Sequence, residues 1–151
     1  MRFIGRLFVI FFAFLCACMT AGLTLAFGLL AGQWRLLETD PVAQGAFWIT
    51  SAVGTSFAGA AGFMPLLLVV ILAEAFRLRS FLFYALAGVA IALIAYYSWG
   101  FGNFYEESID QPGPIARGIE IVIGAGVVFG LTYWLVAGRK AGAWRDARLP
   151  R

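Results

Sequence analysis

Residues 7–32 read LFVIFFAFLCACMTAGLTLAFGLLAG, a stretch without one charged side chain. A run of about 20 apolar residues matches the hydrocarbon core of a bilayer, and only a helix satisfies so short a segment's backbone hydrogen bonds from within itself when water is absent. Three further stretches read the same way: Ala46–Ala73, Phe81–Phe101 and Ile119–Gly138, the last broken only by Glu120. With 62% hydrophobic and 13% charged residues in a chain of 151, too little polar surface is left for a water-soluble globule. The expected fold is an all-α integral membrane protein, a single membrane domain built as an antiparallel four-transmembrane-helix bundle. Its spans are 7–32, 46–73, 81–101 and 119–138, followed by a basic tail over 139–151. The first two spans are longer than a crossing needs, which permits tilt.

Orientation follows from the basic residues, since Lys and Arg in short loops are retained on the cytoplasmic side. Arg2, Arg6, Arg77, Arg79, Arg139, Lys140, Arg145, Arg148 and Arg151 fall on one side of the four spans, and only Arg35 and Arg117 on the other. Both termini are therefore expected in the cytoplasm of a cell bounded by a bacterial-type inner membrane. The opposite side collects Glu38, Asp40, Glu106, Glu107 and Asp110. The sequence pI of about 9.2 is thus a mark of topology, and no nucleic-acid partner is expected. Trp34, Trp48, Tyr96, Tyr97 and Trp99 lie near the outer ends of the spans, where amphipathic rings can hold a polar tip among headgroups. Tyr133 and Trp134 approach the inner interface. The tail, with Trp144 among its basic residues, reads as a stop-transfer anchor or as a segment lying on an anionic leaflet.

Arg2 and Arg6 ahead of an apolar run also describe a signal peptide, and Leu15-Cys16-Ala17-Cys18 resembles a lipoprotein processing box. The apolar sequence continues unbroken to Gly32, however, where a processed lipoprotein begins a polar tether, so a retained span is expected. Cys16 and Cys18 point to different faces of one helix and suggest no disulfide.

In lipid no hydrophobic force presses helices together, so small residues that let backbones approach must supply much of the association. Each span carries such a stripe: Ala17, Thr20, Thr24, Gly28 and Ala31; Ser51, Thr55, Ala58, Gly62 and Pro65; Ala85, Gly88, Ala92 and Ala95; and Gly126 with Gly130. Pro65 removes one backbone hydrogen bond inside the second span and, with Gly62, forms a candidate hinge, either structural or gating. Thr50, Ser51, Thr55 and Ser56 make the outer half of that span the more polar one. They line a shallow crevice or bond their own helix carbonyls.

The chain has no histidine, which excludes His-ligated haem, His-based zinc or copper sites and the ordinary base of a nucleophile triad. No cofactor and no metal is expected, and no catalytic residue is assigned. Glu120, three residues after Arg117, is a candidate proton or cation site at the outer rim. As a bland alternative, it complements the dipole of the helix it begins. Glu74 closes the second span beside Arg77 and Arg79, which are its expected partners. Glu106, Glu107 and Asp110 fill the longest loop, with Pro112-Gly113-Pro114 as a turn into the fourth helix. No ligand spacing marks them as a metal site.

Four short spans make the chain similar in layout to the small multidrug-resistance transporters, which couple export to protons through a Glu in the first span. No acid occurs between Leu7 and Gly32, so proton-coupled export is disfavoured. The leading expectation is a non-catalytic accessory, assembly or scaffold subunit of a larger membrane complex, and its partners are the bilayer, a larger membrane protein or further copies of itself. The alternative is a small oligomeric transporter or channel for a small or apolar solute. The topology has a direct test. A fluorescent protein fused to the tail should mature and an alkaline phosphatase fused there should stay inactive, with the outcome reversed for fusions at Asp110.

Overall fold

A computed structural model describes residues 2–76, 78, 80–98 and 115–140. Five α-helices occur among them: α1 (Arg2–Leu30), α2 (Trp34–Thr39), α3 (Pro41–Phe76), α4 (Phe81–Ser98) and α5 (Ile115–Val136), with 3-10 turns at Ala31–Gln33 and Gly138–Lys140. Four of them, α1, α3, α4 and α5, are long and apolar enough to cross a membrane. Glu106, Glu107, Asp110, Arg77, Arg79 and the tail after Lys140 lie outside the described residues.

The segment between the first two spans, expected as a polar loop, is helical. Asp40 explains where α3 starts: its carboxylate accepts the Val42 amide at 2.9 Å, and its carbonyl accepts the Gln44 amide at 3.1 Å. Pro41 then opens the helix at the position where a missing N–H costs nothing. The Gln44 side-chain amide donates to the Leu37 carbonyl at 3.1 Å, which ties α2 to the first turn of α3. The result is a helix of 36 residues that starts ahead of the expected Ala46 and runs as one element through Pro65.

The four long helices pack in a ring, with α1 between α3 and α5, α4 on the far side of α5, and only a sparse seam from α4 back to α3. Glycine sets how close the neighbours come. A Cβ at Gly22 of α1 would collide with the Thr55 hydroxyl and stand 2.6 Å from the Ser51 carbonyl oxygen, both on α3. Gly54 meets Gly22 from the other side, its Cβ position 3.2 Å from the Gly22 Cα. Between α4 and α5, a Cβ at Gly88 would overlap the Gly126 carbonyl oxygen, and one at Gly130 would overlap that of Tyr84. Gly28 of α1 lies under Ile121 of α5, where an added Cβ would stand 2.5 Å from Cγ2.

The buried centre matches these short separations. Ala13, Ala17, Ala21, Ala73 and Ala137 fill much of it, joined by Leu66, Ile91, Phe129 and Tyr133. Phe14 bridges α1, α3 and α5 by meeting Phe63 and Phe129 edge-on at 5.9 and 6.3 Å, the geometry that the ring quadrupole favours. Phe8, Trp48, Met64 and Leu86 point outward, as a lipid-facing surface requires.

Two glycines offer a controlled comparison. Gly88→Ala should destabilise the fold by about 1–3 kcal/mol through backbone overpacking. Gly124→Ala, whose Cβ would meet nothing within 4 Å, should be neutral or stabilising by about 0.5–1 kcal/mol. Thermal unfolding in detergent micelles reads both.

Candidate functional site

The charged residues nearest the core form a clamp. Arg6 of α1 donates through Nε and Nη2 to Glu74 Oε1 of α3, at 2.9 and 2.6 Å, and through Nη2 to the Ala137 carbonyl just past α5, at 3.1 Å. The two side chains are only 17% and 19% exposed, so this charge-assisted pair is shielded from most of the screening that weakens surface ion pairs. Sequence reading assigned Glu74 to Arg77 and Arg79 by proximity along the chain. Arg77 and Arg79 lie outside the described residues, and among the described ones the Glu74 carboxylate bonds Arg6, 68 residues away. Beside the clamp, Tyr84 and Tyr133 pack ring to ring at 5.8 Å, and the guanidinium of Arg139 lies over Trp134 at 5.7 Å.

Half-way along the bundle the hydroxyls are turned onto helix backbone. Thr24 donates to the Thr20 carbonyl at 2.8 Å, Thr55 to Ser51 at 2.8 Å, and Ser56 to Ala52 at 3.0 Å. The Thr20 hydroxyl stands 3.0 Å from the Ala17 carbonyl and 3.1 Å from the Thr132 hydroxyl of α5. The single hydrogen of Thr20 is thus within donating reach of both its own helix and α5.

The other half of the ring borders a partly open cavity of about 320 Å³. Ala21 and Leu25 of α1, Ala58 and Gly62 of α3, Ala92 of α4 and Gly126 of α5 are among the residues that line it. Of the residues with candidate packing roles, Ala58, Gly62, Gly88, Ala92 and Gly126 thus share one wall system, while Thr20, Thr24, Gly28, Ser51, Thr55 and Gly130 are not among the lining residues. Gly62 keeps ordinary distances, 3.7 Å from its Cβ position to Phe129 Cζ and 3.8 Å to Ile91 Cγ2. Its neighbour in the candidate hinge, Pro65, is half-buried within the continuous α3. Glu120 is exposed in the second turn of α5. Arg117 lies one turn before it, with its side chain outside the described residues.

Tyr96 differs from the sequence expectation. Its place near the outer end of the span points, with Tyr97, to the headgroup region, yet it is only 7% exposed whereas Tyr97 is 66% exposed. Tyr96 forms part of the cavity wall, and its hydroxyl is shut from solvent without a hydrogen-bond partner. Adjacent residues on a helix are about 100° apart, so one turns inward and the other outward; composition alone could not say which. Among the described residues no group of three or more acids or cysteines gathers in a form suited to a metal. No family model, curated protein or solved structure matches the chain.

The clamp is open to a double-mutant cycle. Arg6→Met or Glu74→Leu alone should each cost about 2–3 kcal/mol, because a shielded charge loses a charge-assisted hydrogen bond. The double variant should lose clearly less than the sum, measured by unfolding in mixed micelles.

Proposed function

We propose that this chain is a non-catalytic integral membrane protein that acts as an accessory, assembly or scaffold subunit beside a larger membrane complex. In this reading it is an antiparallel four-helix bundle in a bacterial-type inner membrane, with both termini cytoplasmic. The observation that carries the proposal is how the polar groups inside the bundle are used. Thr20, Thr24 and Thr55 bond helix carbonyls, and Arg6 with Glu74 ties the ends of three helices together. A pathway for ions or polar solutes needs such groups to face a continuous route. Here they serve the bundle itself.

The outward faces support the same reading. Phe11, Phe12, Trp48, Ile49, Met64, Leu68 and Ile71 are all more than half exposed, an apolar face that either lipid or a larger membrane protein can cover. The cavity favours a second reading, in which the chain handles a small apolar solute as an oligomeric transporter or channel.

A tagged copy expressed at native level and purified in mild detergent should elute with a larger membrane protein in fixed stoichiometry. Recovery as a discrete homo-oligomer alone would overturn the subunit reading and favour the second, to be followed by flux assays in liposomes. Glu120→Gln and Pro65→Ala should leave partner capture unchanged under the first reading, since neither residue is part of the clamp or of the glycine contacts.

A further inference from the structure

The turn that follows α5 is held from several sides at once. The Ala137 amide donates to the Tyr133 carbonyl at 2.9 Å, and the Ala137 carbonyl accepts Arg6 Nη2 at 3.1 Å. Gly138 is wedged between two rings: an added Cβ would stand 2.9 Å from Tyr84 Cε2 and 3.0 Å from Trp134 Cδ1. From this fixed backbone the Arg139 guanidinium lies over Trp134, 5.7 Å from the ring centroid. Phe81 of α4 meets the Trp134 ring edge-on at 6.1 Å, so the seat of the cation is itself held in place.

The cation lacks a counter-charge within the protein. Arg139 is exposed, and among the described residues its partner is the indole face alone. Stacking leaves the N–H groups of a guanidinium unspent, and their planar fork matches the oxygens of a phosphate. Glu74, the acid at this end of the bundle, already holds Arg6. The segments that flank this end, 1–8, 74–80 and 137–140, carry Arg2, Arg6, Arg77, Arg79, Arg139 and Lys140 against Glu74 alone. An anion from outside the chain therefore complements the site.

The surroundings indicate what carries that anion. Phe81, Leu82 and Leu135 are each more than half exposed, so hydrocarbon adjoins the cation directly. The helix α5 is long and apolar enough to cross a bilayer, which sets its end where acyl chains give way to headgroups. A soluble anion leaves that apolar surface bare, whereas an amphiphile with an anionic head covers both parts.

We propose that Arg139, seated on Trp134, binds the headgroup phosphate of an anionic phospholipid whose acyl chains lie along Phe81 and Leu135. The aromatic seat fixes the guanidinium in advance, so less freedom is lost on binding than for a loose surface arginine. The site rests on the four-span membrane reading and not on the subunit reading, so loss of partner capture and loss of lipid binding are separate results.

The test uses the full chain, delipidated in mild detergent, with dioleoylphosphatidylglycerol and dioleoylphosphatidylcholine as probes and native mass spectrometry to count bound lipid. Phosphatidylglycerol should bind saturably and more tightly than phosphatidylcholine. Arg139→Gln should weaken phosphatidylglycerol binding about tenfold, the size of one hydrogen bond to a charged group, and leave phosphatidylcholine unchanged. Arg139→Lys keeps the charge but loses the fork and the stacking, and should weaken binding about threefold. Lys140→Gln removes the same charge one residue on and should change binding by less than about twofold, with helix content and elution volume measured to show that each variant is folded. Inorganic phosphate in millimolar excess should leave the lipid in place. Equal binding of the two lipids would overturn the site, and so would equal losses in Arg139→Gln and Lys140→Gln, the mark of a diffuse basic surface. Displacement by inorganic phosphate would overturn the lipid as the ligand, and native affinity in Arg139→Lys would overturn the role of the indole seat.

Discussion

Backbone contact between α4 and α5 is the constraint on which the rest of the structure depends. Gly88, Gly126 and Gly130 bring the two main chains so close that an added methyl at any of them would collide with backbone atoms of the neighbour. In lipid this closeness replaces the hydrophobic force that holds soluble helices together, because dispersion and weak Cα–H contacts fall away steeply with distance. Gly22 and Gly54 play the same part between α1 and α3. The ring of helices is therefore drawn in along three seams and left loose along the fourth, between α3 and α4.

That unevenness divides the molecule into two ends of opposite character. Towards Arg6, α1 and α3 are pinned to the end of α5 by charge-assisted bonds, with Tyr84, Tyr133 and Ala137 buried in the same region. Towards Tyr96, small residues on all four helices leave hydrocarbon-lined space in place of interlocking side chains. The same alanines and glycines produce both outcomes. Where two backbones touch they close the seam, and where helices diverge they fail to fill it, since a methyl group cannot span the gap that a leucine would occupy. The Thr20–Thr132 bond lies between the two regimes.

The sequence made the long helices legible because their apolar runs are uninterrupted and their length is imposed by the bilayer. It under-read the stretch from Trp34 to Gly45, where charged and polar residues suggested a loop. Local bonds from Asp40 and Gln44 hold that stretch helical, and these depend on side-chain geometry more than on hydropathy. Arg6 with Glu74 escaped detection for another reason: ion pairs across a bundle follow which helices are neighbours, and the positive charges near Glu74 in sequence masked the distant partner. Tyr96 illustrates the third limit. These spans are apolar on every side, so amphipathic periodicity gives little guidance to which face is inward, and neither its burial nor the cavity beside it could be read from spacing.

The length of α3 has a consequence for the surrounding membrane. At 36 residues it extends about 54 Å, against a hydrocarbon core of about 30 Å. Even leaning by about 40°, the upper end of what membrane helices show, it still projects about 41 Å along the bilayer normal. Lipids beside it must stretch, or its outermost turns must stand in the headgroup layer, and each ångström of mismatch costs a fraction of a kcal/mol. Elastic cost of this kind depends on bilayer thickness and not on any single contact. The apolar stretch of α3, 46–73, is about 42 Å long and falls to about 32 Å at that lean, so tilt fits it to the core and sets the more polar first turn of the helix among the headgroups.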